Sequence, residues 1–213
     1  MNTENLPKKN KILKALVLIL ELSAFVLLAY LFVLPVFPAA EYQVKNLHNG
    51  LPESKDIEVV KKDTEKVIVN SLPKNKEAVS ANRLIITKIG VNAPIVESKN
   101  SEYGLSLGAW HIPGSANPEN PGNMVLTGHR FKYLPPSNLT LYLLDKIEVG
   151  DIVSVVWKDK TYYYKIRETK VVDKTDLSVE AKSDQAILTI YTCTPIYSTE
   201  KRLVVIGELV ESK

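Results

Sequence analysis

Twenty consecutive residues, Ala15 to Leu34 (ALVLILELSAFVLLAYLFVL), carry a single charge, Glu21. A helix rises about 1.5 Å per residue, so a run of this length matches the roughly 30 Å of hydrocarbon in a bilayer. Lys8, Lys9, Lys11 and Lys14 precede the run and Pro35 and Pro38 close it, which predicts a single-pass membrane helix with a cytoplasmic N-terminus. The chain then divides into a basic cytoplasmic segment (1–14), a transmembrane helix (15–37) and an extracytoplasmic remainder. A cleaved secretory signal is the alternative, with small residues at Pro38-Ala39-Ala40. The run exceeds the roughly 7–15 apolar residues of a signal core, which favours a retained helix. Glu21 costs on the order of 2.5–3.5 kcal/mol at the membrane centre; snorkelling, pairing with another chain or protonation would each accommodate it.

Residues 38–80 are rich in Lys, Glu and Asp, contain Pro52 and Pro73, and lack sustained apolar periodicity. They read as an extracytoplasmic tether, within which the spaced valines of 57–69 allow a charged helix. From residue 81 the pattern changes. Arg83–Ile89, Ala93–Val96, a short piece around Trp110, Asn123–Thr127, Ile152–Trp157, Thr161–Val172, Ala186–Thr192 and Leu203–Leu209 are β-prone runs separated by turn residues. In Thr161–Val172 the residues Tyr162, Tyr164 and Ile166 alternate with Tyr163, Lys165 and Arg167, the period of a half-buried strand. The polar stretch 173–185, just before the cysteine strand, reads as a mobile wall of a groove. About eight strands with one or two short helices predict a mainly β domain, a small closed or nearly closed barrel, over 81–213.

The net charge of +3 marks no basic face for nucleic acid. One cysteine excludes an intrachain disulfide, and three histidines leave too few ligands for a closed zinc site. Cys193 is therefore either a small buried hydrophobe or a nucleophile. Pro195 ends its strand, and the next strand begins near Arg202, so a hairpin sets the thiol beside a permanent cation with forked donors. Gly128-His129 ends the short apolar strand Asn123–Thr127, a strand-end position suited to proton exchange near neutral pH. His111 is a rival for that role.

Leu188-Thr189-Ile190-Tyr191-Thr192-Cys193, Arg202 in KRLVV and Thr127-Gly128-His129-Arg130 together resemble the sortases in order and spacing, over roughly Asn82 to Leu209. The resemblance implies a sortase-like β-barrel and a membrane-anchored cysteine transpeptidase with Cys193 as nucleophile, His129 as proton donor and acceptor, and Arg202 on the oxyanion or the substrate backbone. Thr192 and Thr194 are implied as substrate-binding, the latter through backbone N–H groups nearby. The implied partners are secreted proteins bearing a C-terminal sorting signal of the LPXTG kind, cut between Thr and Gly, and an amine of a peptidoglycan precursor or a pilin. No cofactor is implied. Calcium, known in some relatives, would have only Asp173, Asp176 and Glu180 as candidates. The missing second apolar span and lid motif point away from the pilin-polymerising members. A cysteine protease that delivers the acyl group to water, and a non-catalytic anchored barrel that binds partners, are the rival readings.

Overall fold

The computed structural model describes residues 6–49, 54–71, 82–132 and 136–212. Helix α1 (Leu6–Val33) contains Lys11–Val33, which among the described residues is the one helix long and apolar enough to cross a membrane. Leu18, Phe25 and Phe32 along it are exposed, so the described residues leave this apolar surface uncovered. Helix α2 (Phe37–Asn49) follows, and the Tyr142 hydroxyl donates to the carbonyl of Pro35, fastening the α1–α2 junction to the globular part.

Eight strands form that part: β1 (Arg83–Ile86), β2 (Val91–Glu97), β3 (Ala109–His111), β4 (Asn123–Thr127), β5 (Ile152–Trp157), β6 (Lys160–Asp173), β7 (Ile187–Thr194) and β8 (Lys201–Ser212). They close into a barrel in the order β1-β2-β3-β4-β7-β8-β6-β5, with β5 returning to β1. The β2–β3 and β4–β7 pairs are parallel and the others antiparallel. The expected barrel of about eight strands is therefore present. Its interior holds Leu84, Leu126, Val155, Tyr164, Ile166, Leu188, Ile190 and Val205. The alternation in β6 follows the residue period: Tyr162, Tyr164 and Ile166 join that interior, while Tyr163 faces the opposite side.

Besides α2, which occupies the first part of the expected tether where no helix was expected, two further helices bear on the sequence reading. The first is α4 (Ser101–Leu107), where no helix was expected. Its N-cap is Asn100, whose side-chain oxygen accepts from the Tyr103 N–H. Gly104 reads locally as a helix breaker, but a Cβ there would lie 2.3 Å from Trp110 Cδ1. The glycine is what lets the indole cross the helix, a requirement set by a residue six positions on.

The second is α3 (Ile57–Ser71), inside the expected tether. The charged helix allowed at 57–69 is present, and it is docked rather than free. Val60 and Ile57 pack on Ile152 and Tyr163, and the hydroxyls of Thr64 and Ser154 lie 3.0 Å apart, both buried. Ser54, just ahead of the helix, donates to Asp151 Oδ1 at 2.6 Å and its carbonyl accepts from the Ile152 N–H. Segment 54–71 thus extends the barrel's packing, because the outward-facing Tyr163 needs a cover. The tether positions at 50–53 and 72–80 lie outside the described residues.

Candidate active site

Three neighbouring strands assemble the site. In the antiparallel β7–β8 pair Cys193 stands opposite Arg202 and Thr194 opposite Lys201, as the hairpin reading requires. Leu188, Ile190, Leu203 and Val205 of this pair face the barrel interior, whereas Ile187, Val204, Ile206 and Tyr191 form a second cluster on the outer side. With a period of two, Cys193 and Arg202 both project on the outer face. Cys193 is a free, half-buried thiol.

On the other side of β7, β4 runs parallel to it with Thr127 opposite Tyr191. The alignment continues past the end of β4. The Gly128 N–H donates to the Tyr191 carbonyl, and Thr192 Oγ1 donates to the Gly128 carbonyl at 2.8 Å. Gly128 and Thr192 are thus bonded to each other, and the residues that follow them are His129 and Cys193. Gly128 is confined by a close approach: a Cβ would lie 3.2 Å from Leu141 Cδ1, and the Leu141 N–H in turn donates to the His129 carbonyl. Burial lowers the pKa of the His129 imidazole and the charge of Lys132 lowers it further, which favours the neutral, proton-accepting form near pH 7.

Arg202 donates through Nη1 to the carbonyls of Thr199 at 2.9 Å and Lys201 at 3.1 Å. These contacts fold its side chain back over the β7–β8 loop. Opposite the outer face of β7, the segment after β6 carries a 3-10 turn, Leu177–Glu180, whose Val179 is buried against Val204 and Ile206. Asn123 Nδ2 donates to the carbonyls of Val179 and Ala181, and the Tyr191 hydroxyl donates to Glu180 Oε1 at 2.6 Å. The stretch read as a mobile groove wall is thereby tied to β4 and β7 at three points.

The other expected site residues fall as follows. Thr192 is 1% exposed and its hydroxyl is spent on Gly128, so it is a strut between strands and its side chain is closed to a substrate. Thr194 Oγ1 accepts from Arg130 Nη1 at 2.9 Å. His111 is buried, with Nε2 2.9 Å from the Ala116 carbonyl, Nδ1 3.5 Å from Glu97 and its ring edge-on to Trp157; a histidine so occupied is a core residue. Asp173 and Asp176 bond their own turns, at Thr175 and Ser178, and Glu180 holds Tyr191. Among the described residues no three His, Cys, Asp or Glu side chains are grouped to hold a metal ion.

Arg130 had no role assigned from the sequence, although it stands in the quoted TGHR fragment. It is buried, and besides Thr194 it donates through Nη2 to Asp145 Oδ1 at 2.7 Å. A signal was present: an arginine directly after a strand-end histidine.

The family model for the sortase domain matches residues 84–210. The chain belongs to the sortase family. Among curated sortases it is 31% identical to Sortase D of Bacillus subtilis over 133 residues, 60% of this chain and 62% of the relative. It is 27% identical to Sortase A of Listeria monocytogenes, over 69% of this chain and 64% of the relative. The chain thus spans a little under two thirds of the length of these relatives. Similar solved sortases include Listeria monocytogenes sortase A, at TM-score 0.55 and 26% identity over 63% of this chain and 90% of that one. Sortase E1 of Streptomyces coelicolor, solved with a tripeptide in its active site, has TM-score 0.54 and 26% identity over 63% and 90%. A Clostridium perfringens sortase D5 transpeptidase has TM-score 0.54 and 26% identity, covering 76% of this chain and all of that one. The matched span begins within β1 and ends within β8, contains all three candidate residues of this sortase domain, and leaves α1 to α3 outside it.

Proposed function

We propose that this sortase is a membrane-anchored cysteine transpeptidase acting on the outer side of the membrane, with its N-terminus in the cytoplasm. The observation that carries the reading is the bond between Thr192 and Gly128, since the next residue on one strand is the lone cysteine and on the other a histidine. Arg202, opposite Cys193 in the register, completes the set.

The neutral imidazole of His129 takes the Cys193 proton, and the thiolate attacks the threonine carbonyl of a sorting signal of the LPXTG kind. The oxyanion that forms is met by the Arg202 guanidinium, with backbone N–H groups near Thr194 as further donors. Collapse breaks the Thr–Gly bond, His129 returns the proton to the leaving amine, and the acyl group remains as a thioester on Cys193. An amine of a peptidoglycan precursor or a pilin then attacks the thioester, gives up a proton to His129 and carries the acyl group away, restoring the thiol. Every step is served by side chains of this chain, and the split into two acyl transfers replaces one difficult amide exchange.

The test is mass spectrometry of the full-length protein in detergent with a panel of LPXTG-type peptides, with and without a glycine peptide as acceptor. An acyl adduct on Cys193, and a ligated product that appears only with the acceptor, are expected; Cys193→Ala should lose both by at least about 10⁴-fold. Hydrolysed peptide that is unchanged by the acceptor would make the protein a protease. No adduct with any peptide would leave the non-catalytic reading.

A further inference from the structure

We infer that Arg130 is a positioning residue that sets the distance and angle between His129 and Cys193. The inference rests on the roles proposed for those two residues. Its basis is a pair of hydrogen bonds that bracket them. Before them, Thr192 Oγ1 donates to the Gly128 carbonyl; after them, Arg130 Nη1 donates to Thr194 Oγ1 at 2.9 Å. On each strand one residue lies between the two bonds, His129 on one and Cys193 on the other. The β4–β7 ladder ends at Thr127 opposite Tyr191, with one further backbone bond from the Gly128 N–H to the Tyr191 carbonyl, so backbone pairing no longer holds these two strands together at His129 and Cys193. A side-chain bond takes over where the ladder stops.

The second arm of the guanidinium fixes the bracket to a third element. Arg130 Nη2 donates to Asp145 Oδ1 at 2.7 Å, at the 3-10 turn Leu144–Lys146, and Lys146 Nζ holds Asp145 Oδ2 at 2.8 Å. A planar fork reaches two partners at once in a fixed relation, which an ammonium on a flexible stem does not. The arrangement is a poor one if its purpose is stability alone. Arg130 is 7% exposed, and its Nε is buried with no hydrogen-bond partner among the described residues; an unmet buried donor detracts from stability. What the guanidinium does achieve is a rigid link from the residue after His129 to the residue after Cys193.

Catalysis of acyl transfer is sensitive to such a link, because a misplacement of about 1 Å between reacting groups costs on the order of 100-fold in rate. Peptide binding is not, since Arg130 is buried and closed to the peptide. Arg130→Lys in the full-length protein should therefore lower kcat for LPXTG-type peptides about 10- to 100-fold while KM stays within about twofold. Cys193 should also react more slowly with iodoacetamide, a probe that needs no peptide. Asp145→Asn, which keeps the Thr194 bond and weakens the other arm, should show the same pattern to a smaller degree. Thermal unfolding of each variant separates positioning from folding.

A folded Arg130→Lys with kcat and alkylation rate both within about twofold of the unsubstituted protein would overturn the inference. A loss expressed in KM alone would overturn it too. If Arg130→Lys does not fold, Asp145→Asn decides by the same two readouts. If the unsubstituted protein acts on no peptide, the proposed function fails, and alkylation still decides the bracket: equal rates with and without the substitution reject it.

Discussion

Two cation–carboxylate pairs of the barrel differ in kind: Lys88–Asp151 is buried at both ends, whereas Arg130 is buried and its partner Asp145 is exposed. On the barrel flank Lys88 Nζ donates to Asp151 Oδ2 at 2.8 Å; the same oxygen takes the Glu148 N–H, and Oδ1 takes the Ser54 hydroxyl. Asp151 is 1% exposed, and both of its oxygens are occupied. Burial alone would depress the Lys88 ammonium, but the hydrogen bond and charge of Asp151 outweigh it and hold its pKa above the ordinary lysine value. Beside the candidate active site, Arg130 reaches Thr194 and Asp145, yet its Nε has no hydrogen-bond partner among the described residues. The flank pair leaves none of its charged atoms without a partner among the described residues and ties segment 54–71 to β5. The pair at the site leaves one guanidinium N–H without a partner among the described residues and ties the two strand ends to which the proposed chemistry is assigned. A buried charge can thus serve as a staple or as a gauge, and which it is shows in whether its hydrogen bonds are complete and in what stands next to them.

The contrast makes graded predictions. The largest effect on folding should come from the flank. Asp151→Ala leaves Lys88 buried without its main partner, and should cost about 3–5 kcal/mol in chemical denaturation. Activity per folded molecule should stay unchanged. A stability loss under 1 kcal/mol, on the order of a surface pair, would show that the staple is not one. Next comes Val60→Ala, which removes two buried methyl groups where α3 meets Ile152 and Tyr163; about 1–2 kcal/mol is expected. Should the denaturation midpoint not move, α3 is not docked in solution, and the segment is a tether after all.

The smallest effect belongs to the site and concerns pH. The folded-state pKa of His129 is depressed by burial and then by Lys132. The unfolded chain therefore holds more protons in the window just below the ordinary histidine value of about 6.5, and stability should rise with pH across it. His129→Gln should flatten that slope, read from denaturation midpoints between about pH 5 and 7. A slope that survives the substitution assigns it elsewhere. Lys88 should contribute nothing in this window, since its pKa is held above the ordinary lysine value.

Much of the barrel was legible in the residues. Asn123–Thr127 and Ile152–Trp157 have the bounds expected of them, because apolar runs enclosed by Gly, Pro and Asp leave little freedom. The β7–β8 hairpin was legible for a similar reason, since Pro195 ends one strand and a short loop returns to the next. Helix α4 was not, because Gly104 answers to Trp110 rather than to its own backbone. The inaccessibility of Thr192 was not legible either: whether a hydroxyl faces a substrate or a neighbouring carbonyl is decided by the strand beside it.

By itself the sequence determined the periodicities: a twenty-residue apolar run long enough to cross a bilayer, two-residue alternation that demands a sheet, and a lone cysteine, a histidine and an arginine in an order shared with sortases. Only the tertiary structure decided that β4 lies parallel to β7, more than fifty residues away in the chain, so that Gly128 meets Thr192 and Arg130 meets Thr194. The physical reason is that alternation is local and register is not. A strand announces which residues share a face, but its partner and alignment are chosen by the closure of the whole barrel.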